Sequence, residues 1–210
     1  MDWVPASAAL LLTGALALGL GGFLLPSSDN PMDSVRIVQD QGGQWLTVAA
    51  ILFIASVFLT LGLPAILTLF WKRGWTLAMV SAVVLEVGFI GTAGFAMLMV
   101  FFRSLVVTNA IVDKGINDVA SEAGLTIFLY VWIVGLYLGE LLLGIALLRA
   151  AVAPRWVAYA LIAHAATLPI SSLLPDVLAK ATILLLVAGF AGIAIQATTP
   201  QAARARTRLL

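Results

Sequence analysis

The sequence contains no cysteine and a single histidine, and only 10% of its 210 residues are charged. The first absence excludes disulfides, thiolate catalysis and Cys-ligated metals; the second argues against a His-rich metal centre. Soluble domains carry about 25% charged residues. A chain that is 62% hydrophobic cannot cover its apolar surface in water. The net charge of +1 leaves no electrostatic footprint for nucleic acid. No nucleophile elbow, Walker sequence or HExxH occurs, so neither metal nor cofactor is expected, and the balance leans away from an enzyme.

What the chain has instead is apolar runs, each long enough to cross hydrocarbon as a helix. Six can be read, at 4–25, 45–70, 76–102, 126–148, 157–174 and 179–197, the fifth being the shortest. The expected fold is all-α: a polytopic six-helix transmembrane bundle forming one integral membrane domain over 1–210. The first run lacks a basic n-region and is not closed by a small-residue cleavage site, so it reads as a retained helix rather than a signal peptide. Basic residues collect on cytoplasmic loops. With both termini cytoplasmic, Lys72, Arg73, Arg149, Arg155, Arg204, Arg206 and Arg208 fall inside, and Arg36, Arg103, Lys114 and Lys180 outside. Trp45, Trp71, Trp75 and Trp156 fall at expected helix ends, where an indole suits the headgroup level. The expected location is a cell membrane, crossed several times, of the bacterial inner-membrane kind.

Between the spans, "PSSDNPMDSVRIVQDQGGQ" opens with turn formers and then offers a short amphipathic stretch, while "RSLVVTNAIVDKGINDVASEAGL" reads as a connector long enough to fold over the bundle mouth. The C-terminal "TTPQAARARTRLL" reads as a basic tail near anionic lipid. Glycines in "GALALGLGG", "GFIGTAG" and Gly135-xxx-Gly139 are expected to allow close helix approach.

Ionisable groups inside spans are the most informative residues, because burying one in lipid costs at least ~2.5 kcal/mol. The chain has Glu86, Glu140 and His164 there. At the α-helical rise they lie ~16 Å in from Trp75, ~14 Å from Arg149 and ~12 Å from Trp156, all near the middle of hydrocarbon about 30 Å thick. Pro64 and Pro169 point to the same depth, since each withholds an N–H from the carbonyl four residues earlier, on Thr60 and Ala165. Tyr137 and Gly144 share the Glu140 face, so the phenol is a candidate donor to the carboxylate and the glycine a point of approach for another helix. Thr167 and Ser171 continue the His164 stripe outward. The face of Glu86 offers no polar neighbour of its own, so its partner must come from another helix.

This set, Glu86, Glu140, His164, Tyr137, Thr167, Ser171 and Thr60, is read as a ligand- or proton-binding layer. Binding or transport of a small or lipidic molecule, with proton coupling, is the first expectation. An intramembrane acid–base enzyme acting on a lipid is the second, and a structural subunit docking through its glycine faces the third. Interhelical glue is the bland reading of the same residues. The partners that follow are the lipid bilayer, a small-molecule or lipid ligand, and a homo-oligomer or membrane partner.

The stretch Leu141–Pro175 carries "LG-x-A-L-L-R" at Leu143, Gly144, Ala146, Leu147, Leu148 and Arg149, followed by "P-R-W" at Pro154, Arg155 and Trp156. In this it resembles small six-helix bacterial membrane proteins grouped as a domain of unknown function (DUF4386-like). The resemblance implies a six-span layout and brings no activity with it.

Overall fold

A computed structural model describes residues 3–26, 31–71, 73–110, 119 and 121–199. Its elements are α1 (Val4–Leu24), α2 (Pro31–Thr68), α3 (Trp75–Val107), α4 (Ala123–Ala150), α5 (Arg155–Thr167), a 3-10 helix (Leu168–Leu173), α6 (Asp176–Ala181) and α7 (Ile183–Ala197). Strands are absent among the described residues. Five segments are long and apolar enough to cross a membrane: α1, α2, α3, α4, and α6 with α7 taken together.

The fifth expected run, 157–174, is not one α-helix. Its α part ends at Thr167, and Pro169, which has no N–H and crowds the preceding turn, converts the remainder to 3-10 geometry. The α and 3-10 parts together extend about 32 Å, still close to the thickness of hydrocarbon.

The α2 helix also departs from expectation. It begins at Pro31, a residue suited to a first helical position, and carries Asp33 in its first turn, so the amphipathic stretch assigned to a loop is helical. At about 57 Å it would outreach any bilayer if straight, but Gln41 breaks it with non-helical angles (φ −130°, ψ 33°). Arg103 of α3 donates from Nε to the Gly42 carbonyl at 2.9 Å, giving a partner to backbone beside the break. Trp45 therefore stands four residues past this break and not at a free helix end. It is buried, and its indole N–H donates to the Met99 carbonyl at 2.9 Å. Trp71, Trp75 and Trp156 do stand exposed at helix ends, as expected.

The helices form a closed ring. Each of α1 to α5 packs on its chain neighbour, α5 packs on α7, and α7 returns to α1. The two halves of α1 and α7 meet in opposite senses, Gly22 against Ile183 and Gly19 against Val187, so these helices are antiparallel. Phe89 and Phe190 meet edge to face across the interior (centroids 6.2 Å), among buried Leu59, Ile66, Leu143 and Leu186.

Glycines set the separations within the ring. An added Cβ at Gly88 would stand 2.7 Å from the Leu136 backbone, and one at Gly139 2.7 Å from the Leu85 backbone, so α3 and α4 touch main chain to main chain. Gly14 meets Leu59, and Gly62 meets Leu11, in the same way between α1 and α2. Packing is thus the role of the first-helix and third-helix glycine patterns.

Ser7 makes a contact that nothing in the sequence announced. Its hydroxyl donates to the Leu61 carbonyl at 2.9 Å and accepts from the Ala65 N–H at 3.0 Å. Those two backbone groups are i and i+4 in α2, so a side chain from α1 has been inserted into the ladder one residue from Pro64. Ser7→Ala is expected to lower stability by about 1–3 kcal/mol, the cost of leaving buried polar groups unpaired. Thermal unfolding in detergent measures this; an unchanged midpoint would mean that the Leu61–Ala65 bond closes by itself.

At the start of α4, Glu122 caps the helix, its carboxylate accepting from the Leu125 N–H at 2.8 Å. Hydrogen bonds from the Gly124 and Leu125 backbone favour the carboxylate and hold its pKa below the ordinary carboxylate range. Residues 111–118, at the centre of the second long connector, and the basic tail 200–210 lie outside the described residues.

Candidate functional site

The polar layer expected at the midplane resolves into two separate groups. The first joins α4 to α5: His164 Nδ1 and Glu140 Oε2 are 2.5 Å apart, with exposures of 3% and 0%. Gly144, one turn along from Glu140, makes this approach possible, because a Cβ there would stand 3.0 Å from the Ala158 carbonyl and 2.6 Å from Ile162. Sequence phase placed Gly144 correctly as the point of entry for a neighbouring helix.

Tyr137 belongs to this group in a different role from the expected one. Its ring stacks on the His164 imidazole, with centroids 4.9 Å apart and planes 13° from parallel. It makes no hydrogen bond to the carboxylate among the described residues, since Glu140 Oε2 is taken by His164 and Oε1 is without a partner. Thr167 donates to the His164 carbonyl at 2.6 Å. Imidazole, phenol and threonine are thereby locked into one unit at the point where α5 gives way to 3-10 geometry. The Ser171 side chain lies outside the described residues.

One polar atom in this unit has no partner. Glu140 Oε1 is buried and makes no hydrogen bond among the described residues. A carboxyl that shares its other oxygen with an imidazole and leaves this one free can accept one further proton or one donor group. The pair itself is electroneutral in either tautomeric arrangement, neutral acid on neutral imidazole or carboxylate on imidazolium, which is what a site enclosed by apolar helices requires.

The second group joins α2 to α3. Thr60 Oγ1 lies 3.2 Å from Glu86 Oε1 and 3.1 Å from Oε2, so one hydroxyl serves both carboxyl oxygens. Both side chains are half-buried. The expectation that Glu86 must find its partner on another helix holds. Its convergence with Glu140 and His164 does not appear: among the described residues, no hydrogen bond or ion pair joins Glu86 to either. The reason lies in helix phase, because Leu85 and Gly88 face α4 while Glu86 is turned to α2.

Among the described residues no group of three or more His, Asp or Glu side chains is placed to hold a metal. A groove of about 550 Å³ does occur elsewhere, between α3 and α4, lined by Gly91, Phe95, Phe101, Phe128 and Trp132 among others. It contains none of the expected site residues. No family model, curated protein or solved structure matches this chain, so the likeness carried by Leu141–Pro175 stands on those residues alone.

Proposed function

We propose that the protein is a multi-pass membrane protein that binds or moves a small or lipidic molecule, with a proton taken up and released at the Glu140–His164 pair. The observation that carries this reading is the unpartnered Glu140 Oε1, enclosed beside an imidazole in the interior of the ring. Intramembrane ionisable groups are expensive to keep and mark ion or substrate paths by default. Interrupted helices at that depth recur in transporter sites, and α5 breaks three residues beyond His164. A cell membrane is the proposed location, with six crossings, α5 and its 3-10 extension counted as the fifth. Both termini then lie on one side, and the basic loops assign that side to the cytoplasm.

The mechanism follows from charge. In the closed state the pair holds one shared proton between Nδ1 and Oε2. A second proton bound at Oε1 would leave the unit cationic, whereas a neutral donor group on the ligand would hydrogen-bond Oε1 and leave the charge unchanged. Either event biases the arrangement of α4 against α5, the two helices that carry the pair. Glu86 has no part in this step.

The test is proton exchange by the purified protein in liposomes, followed with a pH-sensitive dye after an acid jump. Uptake is expected in the wild type and in Glu86→Gln, and to be lost in Glu140→Gln. Equal uptake by all three would remove the reading. The direct contact of an imidazole with a carboxyl also suits general acid–base chemistry on a lipid. That second reading requires the lipid composition of cells to change with His164→Ala.

A further inference from the structure

The Glu86–Thr60 group lies at the outer seam of the ring. On α3 it is flanked by Val83 and Ile90, both 61% exposed, and on α2 by exposed Val57, Leu61 and Pro64. A residue turned partly outward among these side chains meets what surrounds the bundle. At this depth in a bilayer that is hydrocarbon, which supplies neither donor nor acceptor.

The seam is short of partners. A single hydroxyl, at 3.1 and 3.2 Å, serves two carboxyl oxygens, and Pro64 has no N–H to offer the Thr60 carbonyl. Phospholipid headgroups do not reach the middle of the hydrocarbon. One polar group is certain to occur there at the same depth: Glu86 of another copy inserted in the same orientation. A neutral carboxylic acid carries one donor and one acceptor and is therefore complementary to itself. A two-fold axis along the membrane normal brings two such groups face to face, as an isologous contact demands.

We propose that the α2–α3 seam is the interface of a homodimer, in which Glu86 pairs with its counterpart and the apolar side chains around it, Val57, Leu61, Val83 and Ile90, pack across the axis. The inference rests on the bilayer reading and not on proton binding. Fractionation with membranes, and release only by detergent, tests the bilayer reading by itself.

Because the chain lacks cysteine, a single introduced thiol can form a disulfide only between copies. Val83→Cys, on the exposed face one turn before Glu86, is expected to crosslink in native membranes under mild oxidation; Ile127→Cys, equally accessible on α4, is not. Adding Glu86→Leu to Val83→Cys should reduce crosslinking at least tenfold, and Glu86→Gln, which keeps a donor and an acceptor, should restore it. Crosslinking that survives Glu86→Leu overturns the proposal, as does a wild-type protein that remains monomeric in lipid nanodiscs. A monomer that carries a co-purifying lipid lost in Glu86→Leu overturns it in favour of a lipid ligand.

Discussion

Replacing His164 with leucine is expected to destabilise the bundle by about 3–5 kcal/mol, the range for breaking a buried pair and leaving one partner uncompensated. Glu140 has no exposure to solvent, and its other oxygen is already without a partner, so loss of the imidazole leaves the whole carboxyl unserved. Ordinary interhelical hydrogen bonds in membranes average only about 0.6 kcal/mol, because the separated helices find other partners in the reference state. The present case should exceed that average, since the penalty arises within the closed ring and not from the lost attraction. The double change Glu140→Leu/His164→Leu removes both polar groups and is expected to recover most of the loss. Unfolding by a denaturing detergent measures all three variants. A double variant no more stable than His164→Leu would show that the pair stabilises by its own attraction, contrary to the argument.

The second large effect is steric. Gly139→Ala places a methyl group 2.7 Å from the Leu85 backbone, where no side-chain rotation can relieve it. The helices must part, at about 1–3 kcal/mol for an overpacked contact. Gly88→Ala meets the Leu136 backbone on the other side of the same interface and should behave alike. Gly43, also helical, has nothing within 4 Å of an added Cβ. There the same substitution is expected to be neutral or to stabilise by about 0.5–1 kcal/mol through helix propensity alone. Thermal midpoints of the three proteins decide the matter; equal shifts at Gly139 and Gly43 would mean that close approach is not what the glycines provide. Gly139 adjoins Glu140, so displacement of α4 also disturbs the His164 contact. A Gly139→Ala protein that folds is therefore expected to lose proton uptake out of proportion to its stability.

The sequence made depth legible and azimuth only partly so. Rise per residue placed Glu86, Glu140 and His164 in one layer, because distance along a helix depends on nothing but the helix. Which neighbour each faces depends on the order of helices around the ring, which apolar runs of similar composition do not encode. Glu140 and His164 lie on consecutive helices and meet. Glu86 lies one position from the α4-facing Leu85 and is carried by the turn of about 100° between consecutive helical residues to a different interface. Gly144 was readable because closeness of approach is a local property of the residue.

Boundaries failed where one cue was asked to serve for another. A tryptophan at the start of an apolar run suggested a helix end at Trp45; the helix begins at Pro31 and breaks at Gln41, and the buried indole N–H finds its acceptor in the Met99 carbonyl. Pro169 did announce an interruption. Its consequence is a 3-10 helix in place of a kinked α-helix, which the missing N–H alone does not dictate. Ser7 left no trace, since one serine in an apolar helix resembles any other until the proline of a different helix is brought beside it.

The closed ring has a consequence for the order of the chain itself. Since α7 lies antiparallel to α1, the end of the last helix comes back beside the beginning of the first. No interface in the ring depends on which helix the ribosome makes first. Joining the region after Ala197 to the region before Val4 by a short linker, and reopening the chain at the turn between α2 and α3, would leave every neighbour relation in place. The ring of helices is in this sense indifferent to the connection at which it is opened.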